Sequence, residues 1–171
     1  MTNKKTGFKT SLAAVLMMLM TTGIAPAQDG KGQVTQLPIP RFVSMKANEG
    51  NVRRGPSLSH RIDWVYRRKD LPLQITNEFG HWRQVRDHDG AGGWVHYSLL
   101  SGVRTVLIEA ETLNLMSRPD ADASVVAIVE RGVVARLAEC EPDWCRLRVE
   151  GYKGWARKSA MWGVAPGETW Q

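Results

Sequence analysis

Two cysteines, four histidines and two loop serines are the residues of this chain that could do covalent or metal chemistry. The cysteines are Cys140 and Cys145, in the stretch CEPDWC. As free thiols they would offer Cys145 as a nucleophile; oxidised, they would close a short cross-link. A nucleophilic thiol needs a base beside it, and no histidine stands near Cys145 in the sequence. The histidines are His60, His81, His88 and His96. A zinc site needs three or four ligands at defined geometry, and these four fall in different loops and strands. Ser57 and Ser59 follow Gly55-Pro56 without a recognisable base. The chain shows no catalytic triad, no phosphate-cradling loop and no recurring pair of acids. The expectation is a protein that is not an enzyme, with no metal and no cofactor.

The first residues bear on the cysteines. Lys4, Lys5 and Lys9 precede the uncharged apolar run Leu12–Ile24, and Ala25-Pro26-Ala27 follows. A basic start, an apolar stretch and an A-x-A site are the order of a secretory signal peptide, with cleavage after Ala27. The run is shorter than the roughly 20 apolar residues of a membrane span. The expected product is therefore periplasmic or secreted, with no stable membrane anchor. In that oxidising space a close cysteine pair becomes a structural disulfide, Cys140–Cys145. Cleavage also removes three lysines and no acid, which lowers the net charge from +6 to +3. That excess is too small to point to nucleic acid, and an exported protein does not meet it.

Arginines and aromatics could do binding chemistry. Arg53, Arg54, Arg67, Arg68 and Lys69 concentrate positive charge in the first half. Arginine pairs with carboxylates through two parallel hydrogen bonds. Trp64 and Tyr66 lie two residues apart, on one face of a predicted strand. They either pack the core and a domain contact or form an aromatic shelf for sugar rings or a peptide. Trp82, Trp94, Trp144 and Trp155 recur in both halves. Trp94 and Trp155 read as core, whereas Trp82 and Trp144 follow turns and read as partly exposed. Tyr97 belongs to the first half alone. The candidate ligand-binding set is Arg53, Arg54, Trp64, Tyr66, Trp82 and Tyr97, with a solvated basic surface as the alternative.

The elements that position these residues come in duplicate. Val43–Gly102 aligns over Val106–Gly163 with two small gaps. Asn51-Val52 meets Asn114-Leu115, Trp82–Arg86 meets Trp144–Arg148, and Gly93-Trp94-Val95 meets Gly154-Trp155-Ala156. Duplication of this kind is the mark of two repeated units. Within each, short runs such as IDWVY, LQITNEF, WRQVR and GWVH are rich in β-branched and aromatic residues, and glycine and proline turns separate them. Helical periodicity is absent beyond the first segment, except for single turns at Tyr97–Leu100 and Ser159–Trp162. The fold class is all-β, with each unit a small barrel or sandwich. The expected boundaries are a signal peptide at 1–27, a flexible leader at 28–40, domains at 41–102 and 103–163, and a tail at 164–171.

The stretches PRFVSMKANEGNVRRGPS, WVYRRKDLPLQITNEFGHWRQVRD and GGWVHYSLLSG resemble the bacterial SH3-like (SH3b) domains, in the style of exported proteobacterial proteins. The resemblance runs from Pro40 to Gly163. In the second unit Met116 replaces Arg53, Arg118 replaces Gly55, and Ala127 sits near Trp64. It implies two tandem SH3-like barrels of five to seven strands each, acting as a non-enzymatic module that binds peptidoglycan or its stem peptides. Many relatives are joined to a wall hydrolase; the residues after Gly163 are too few to form one. An adaptor for an exported envelope protein is the other reading.

Overall fold

The computed structural model describes residues 1–2 and 30–170. The apolar run Leu12–Ile24 and the expected cleavage after Ala27 lie outside the described residues. No helix among the described residues is long and apolar enough to cross a membrane.

The chain is all-β, in two units. The first holds β1 (Arg41–Met45), β2 (Gly50–Arg53), β3 (Ile62–Tyr66), β4 (Pro72–Phe79), β5 (Trp82–Arg86), β6 (Gly92–His96) and β7 (Leu100–Ser101). The second holds β8 (Thr105–Ile108), β9 (Thr112–Met116), β10 (Val125–Glu130), β11 (Val134–Cys140), β12 (Trp144–Val149), β13 (Tyr152–Arg157) and β14 (Met161–Trp162). Each unit is a seven-stranded antiparallel sheet, in the order β3-β2-β6-β5-β4-β1-β7 and, strand for strand, β10-β9-β13-β12-β11-β8-β14. The single turns appear as 3-10 turns at Tyr97–Leu99 and Lys158–Ala160. Bulges also recur, between Ile75 and Asn77 and again between Leu137 and Glu139.

Alternation explains which side chains face inward. Met45, Val52, Leu73, Ile75, Val85 and Val95 are fully or almost fully buried in the first core; Val106, Ile108, Leu115, Leu147 and Ala156 fill the second. Each valine, leucine, isoleucine or methionine among these contributes about 1.5–3 kcal/mol on leaving water. Two glycines let the strands approach. A Cβ on Gly93 would lie 2.8 Å from the Arg53 carbonyl, and one on Gly154 would lie 2.8 Å from Leu115 Cβ.

The leader is not the flexible segment that its polarity and prolines predict. Gly30–Pro40 folds back on itself, with Gly32 N–H donating to Leu37 O and Ile39 N–H to Gly30 O, each at 2.8 Å. Glu78 of β4, fully buried, holds it in place. Its carboxylate accepts from the N–H groups of Val34 (3.0 Å) and Thr35 (2.8 Å), from the Thr35 hydroxyl (2.8 Å) and from Arg41 (2.5 Å). Nε of Arg83 stands 3.4 Å away. Sequence reading missed this because a lone glutamate in an apolar strand gives no hint of distant donors.

The tail is also seated. Trp170 exchanges two backbone hydrogen bonds with Cys140, at 2.7 and 3.1 Å. Arg104 pairs with Glu168 and lies over the rings of Phe42 and Trp170. The units join through Phe42 against Trp162, edge to face at 5.1 Å. Beside them the buried hydroxyls of Ser44 and Thr105 meet at 2.6 Å, and Thr105 donates to the Asp70 carbonyl at 2.7 Å.

Candidate functional site

Cross-strand partners project from the same face of a sheet, so the register shows which residues share a surface. On the outer face of the first unit, Arg53 of β2 stands opposite Trp94 of β6, Trp94 opposite Gln84 of β5, and Gln84 opposite Asn77 of β4. The next row is His96, Trp82 and Phe79. Arg86 faces Gly92 on the other side. Arg53, Arg54, Trp94, Gln84, Arg86 and Asp63 line a cleft of about 420 Å³. Beyond it, the rings of His81, His96 and Tyr97 cluster at 5.0–5.9 Å, with Trp82 against His96 at 5.4 Å.

The predicted residues are divided by this geometry. Arg53 and Arg54 line the cleft. Arg53 is also bound at its inner edge, donating to the carbonyls of Leu58 (3.0 Å) and His60 (2.7 Å), so it holds the loop from Arg54 to Arg61. Arg54 is exposed and faces Asp63, whose carboxyl is held below the usual range by a hydrogen bond from Arg61 and the nearby Arg54 charge. Tyr97 is exposed beside the histidines. Trp82 is buried instead of partly exposed, because Phe79 and His96 flank it.

Trp64 and Tyr66 do not form an exposed shelf. Their rings meet edge to face at 6.3 Å, and Trp64 stands opposite the fully buried Val52, so both turn inward. Tyr66 donates its hydroxyl to the Ala91 carbonyl at 3.1 Å, and burial, with Asp87 nearby, pushes its phenol well above the usual range. Trp94, read from sequence as core, is the half-buried residue that lines the cleft. Gln84 and Arg86 were missed as well. The alternation in WRQVR was visible, but which phase faced the core was not.

The second unit tests this face by comparison. Its matching row is Met116, Trp155, Arg146 and Glu139. Met116, Ala123 and Trp144 pack around Trp155 and bury it. In the first unit Arg53 stands where Met116 does, and Trp94 is half-buried.

Serine and histidine do meet in one place. Ser57 Oγ lies 2.8 Å from Nδ1 of His60 in the exposed loop, a neighbour the sequence did not single out. Cys140 and Cys145 are joined, Cα to Cα at 4.1 Å, and both are buried. Asp87, His88 and Asp89 bring three ligand atoms within 4.8 Å on an exposed turn.

Two seven-stranded units of one topology, in series, agree with the sequence match. Residues 46–102 and 109–163 each fit the description "Bacterial SH3 domain". The chain belongs to the bacterial SH3 domain family. A search of curated proteins gives no significant match. Among solved structures, NlpC2 from Trichomonas vaginalis is 15% identical at a TM-score of 0.34, covering 72% of this chain and 48% of that one. NlpC1 from the same organism is 15% identical at 0.34, covering 79% and 50%. An NlpC/P60 family protein from Bacillus cereus ATCC 10987 is 12% identical at 0.32, covering 70% and 55%. This SH3 pair therefore spans about half the length of the structures it resembles.

Proposed function

We propose that this tandem SH3 chain is a non-enzymatic binding module of the cell envelope, exported by its first segment, whose first barrel takes peptidoglycan or its stem peptides on the outer face of β2, β5 and β6. The observation that carries this reading is the contrast between Trp94 and Trp155. Trp94 is half-buried and lines a cleft with Arg53, Arg54 and Arg86; the equivalent tryptophan of the second barrel is buried against Met116 and Ala123. An indole face beside guanidinium groups suits a sugar ring or peptide backbone that carries carboxylates. Family membership supports a binding role.

The test is co-sedimentation with purified sacculi. Saturable binding that falls about tenfold in Trp94→Ala and in Arg54→Ala, without release of soluble wall fragments, is the expected result. Absence of binding at low salt would remove the wall as ligand and leave an exported protein as the partner of this face. Fragment release that continues on incubation would show an enzyme.

A further inference from the structure

The second barrel carries a line of charge that its fold does not need. The β11–β12 register sets Arg136 opposite Arg148, and the β12–β13 register sets Arg148 opposite Lys153. All three are exposed on the outer face. Neighbouring strands lie about 4.8 Å apart, so three cations stand in a row some 10 Å long. Like charges directly opposite one another disfavour a sheet. The first barrel avoids this at the same positions: Gln74 accepts a hydrogen bond from Arg86 at 2.6 Å, and Gly92 stands on the other side.

The Arg136 and Arg148 end of the row lines a cleft of about 600 Å³ between the barrels. Arg68, Arg131, Arg136, Arg148, Asp70 and Glu150 are among its walls. Counter-charge within it is thin. Asp70 approaches Arg136 only to 3.9 Å, and Arg131 is turned to Glu111 at 3.1 Å. Arg148 and Lys153 have no ion-pair partner among the described residues. Arg68 reaches across from the first barrel and spends one donor on the Gly132 carbonyl at 2.8 Å. A guanidinium has five N–H donors in a fixed fork, which leaves the rest for a ligand.

We propose that this cleft is a second binding site, for a small ligand carrying two or three phosphate or carboxylate groups spaced at about the strand separation. Such an anion bridges Arg136 and Arg148 and relieves the repulsion in the row, with Lys153 next to Arg148 at its rim and Arg68 closing from the other barrel. The site is separate from the Trp94 face, and loss of either leaves the other standing.

Calorimetric titration of the purified protein with tripolyphosphate, and with the tricarboxylate citrate, tests it. The tighter of the two probes identifies the anionic group. One-to-one binding that weakens with salt is expected, falling about tenfold in Arg148→Gln but unchanged in Arg118→Gln, which removes the same charge elsewhere on that barrel. Thermal melting gives a second readout. Arg148→Gln should melt higher than the unmodified protein without ligand, and should lose the ligand-induced rise. Neither probe binding at low salt, or equal weakening by both substitutions, would overturn the proposal.

Discussion

Glu78 and Cys140 hold the same position in the two barrels. Glu78 stands opposite Arg83 across the β4–β5 hairpin, and Cys140 stands opposite Cys145 across β11–β12. The next strand confirms the match, since Arg83 faces Val95 where Cys145 faces Ala156. One hairpin is clasped by an ion pair and its copy by a covalent bond. Each clasp also seats a terminal segment, the leader on the Glu78 carboxylate and the tail on the Cys140 backbone. Duplication preserved the place of the clasp while its chemistry diverged.

The ion-pair clasp makes the first barrel acid-sensitive. Burial pushes the Glu78 carboxyl up, but hydrogen bonds from the Thr35 N–H, Arg41, the Thr35 hydroxyl and the Val34 N–H outweigh it and hold the group at about 2, against an ordinary 4.5. A carboxyl depressed on folding stabilises above its unfolded pKa, and that contribution is lost as pH falls through the folded one. The window is therefore pH 4.5 to 2, with a contribution on the order of 3 kcal/mol. Glu78→Gln should lose a similar amount at neutral pH and flatten the stability curve in this window. Urea unfolding at stepped pH is the measurement, and parallel curves for the two proteins would count against the assignment.

The covalent clasp should act on the second barrel alone. The Cys140–Cys145 loop is short, so its loss costs about 2 kcal/mol by chain entropy. For a chain of this size that is a fall of about 4–8 °C in melting temperature. The double change Cys140→Ser, Cys145→Ser should show it, and reductant should have no effect on the double variant. A melting temperature that does not move would mean that the Trp170 bridge and the buried core hold the hairpin unaided.

Much of this was legible in the residues. The repeat of Asn51, Trp82 and Trp94 at Asn114, Trp144 and Trp155 announced two barrels, and CEPDWC announced a hairpin cross-link. The site was less legible because it depends on which phase of an alternating strand faces inward. WRQVR reads equally well either way; only the pairing with β6, where Val95 is fully buried, turns Gln84 and Arg86 outward. Trp64 and Tyr66 shared a face as expected, but opposition to Val52 made it the inner one. Glu78 was invisible for another reason: its partners Val34, Thr35 and Arg41 lie at least 37 residues away, the first two in a segment whose composition reads as a linker.

The equivalent tryptophans should part company when each is removed. Trp155 is packed among Met116, Ala123 and Trp144, so Trp155→Ala opens a cavity and should cost about 3–5 kcal/mol. Trp94 is half-buried on an open face, and Trp94→Ala should cost about 1 kcal/mol while weakening ligand binding. Denaturant unfolding of the two variants, beside sacculus binding, separates the roles. Equal stability losses would show that Trp94 packs as its copy does and would withdraw it from the site.

Thr105 couples the barrels through one hydroxyl. It donates to the Asp70 carbonyl and meets Ser44 Oγ, which also reaches the Val103 carbonyl at 2.6 Å. Ser44 and Thr105 are both buried, so water cannot replace a lost partner. Valine matches threonine in shape but leaves the Asp70 carbonyl without its donor, at a cost of about 1–3 kcal/mol. Thr105→Val should therefore destabilise, and the loss should appear as looser coupling between the barrels rather than as damage to either core. Hydrogen exchange makes the distinction: protection should fall first at Asp70 and along β8, with Val85 and Leu147 still protected. Uniform loss across both barrels would mean that Thr105 supports the second core, and that the joint between the units rests on Phe42, Trp162 and Arg104.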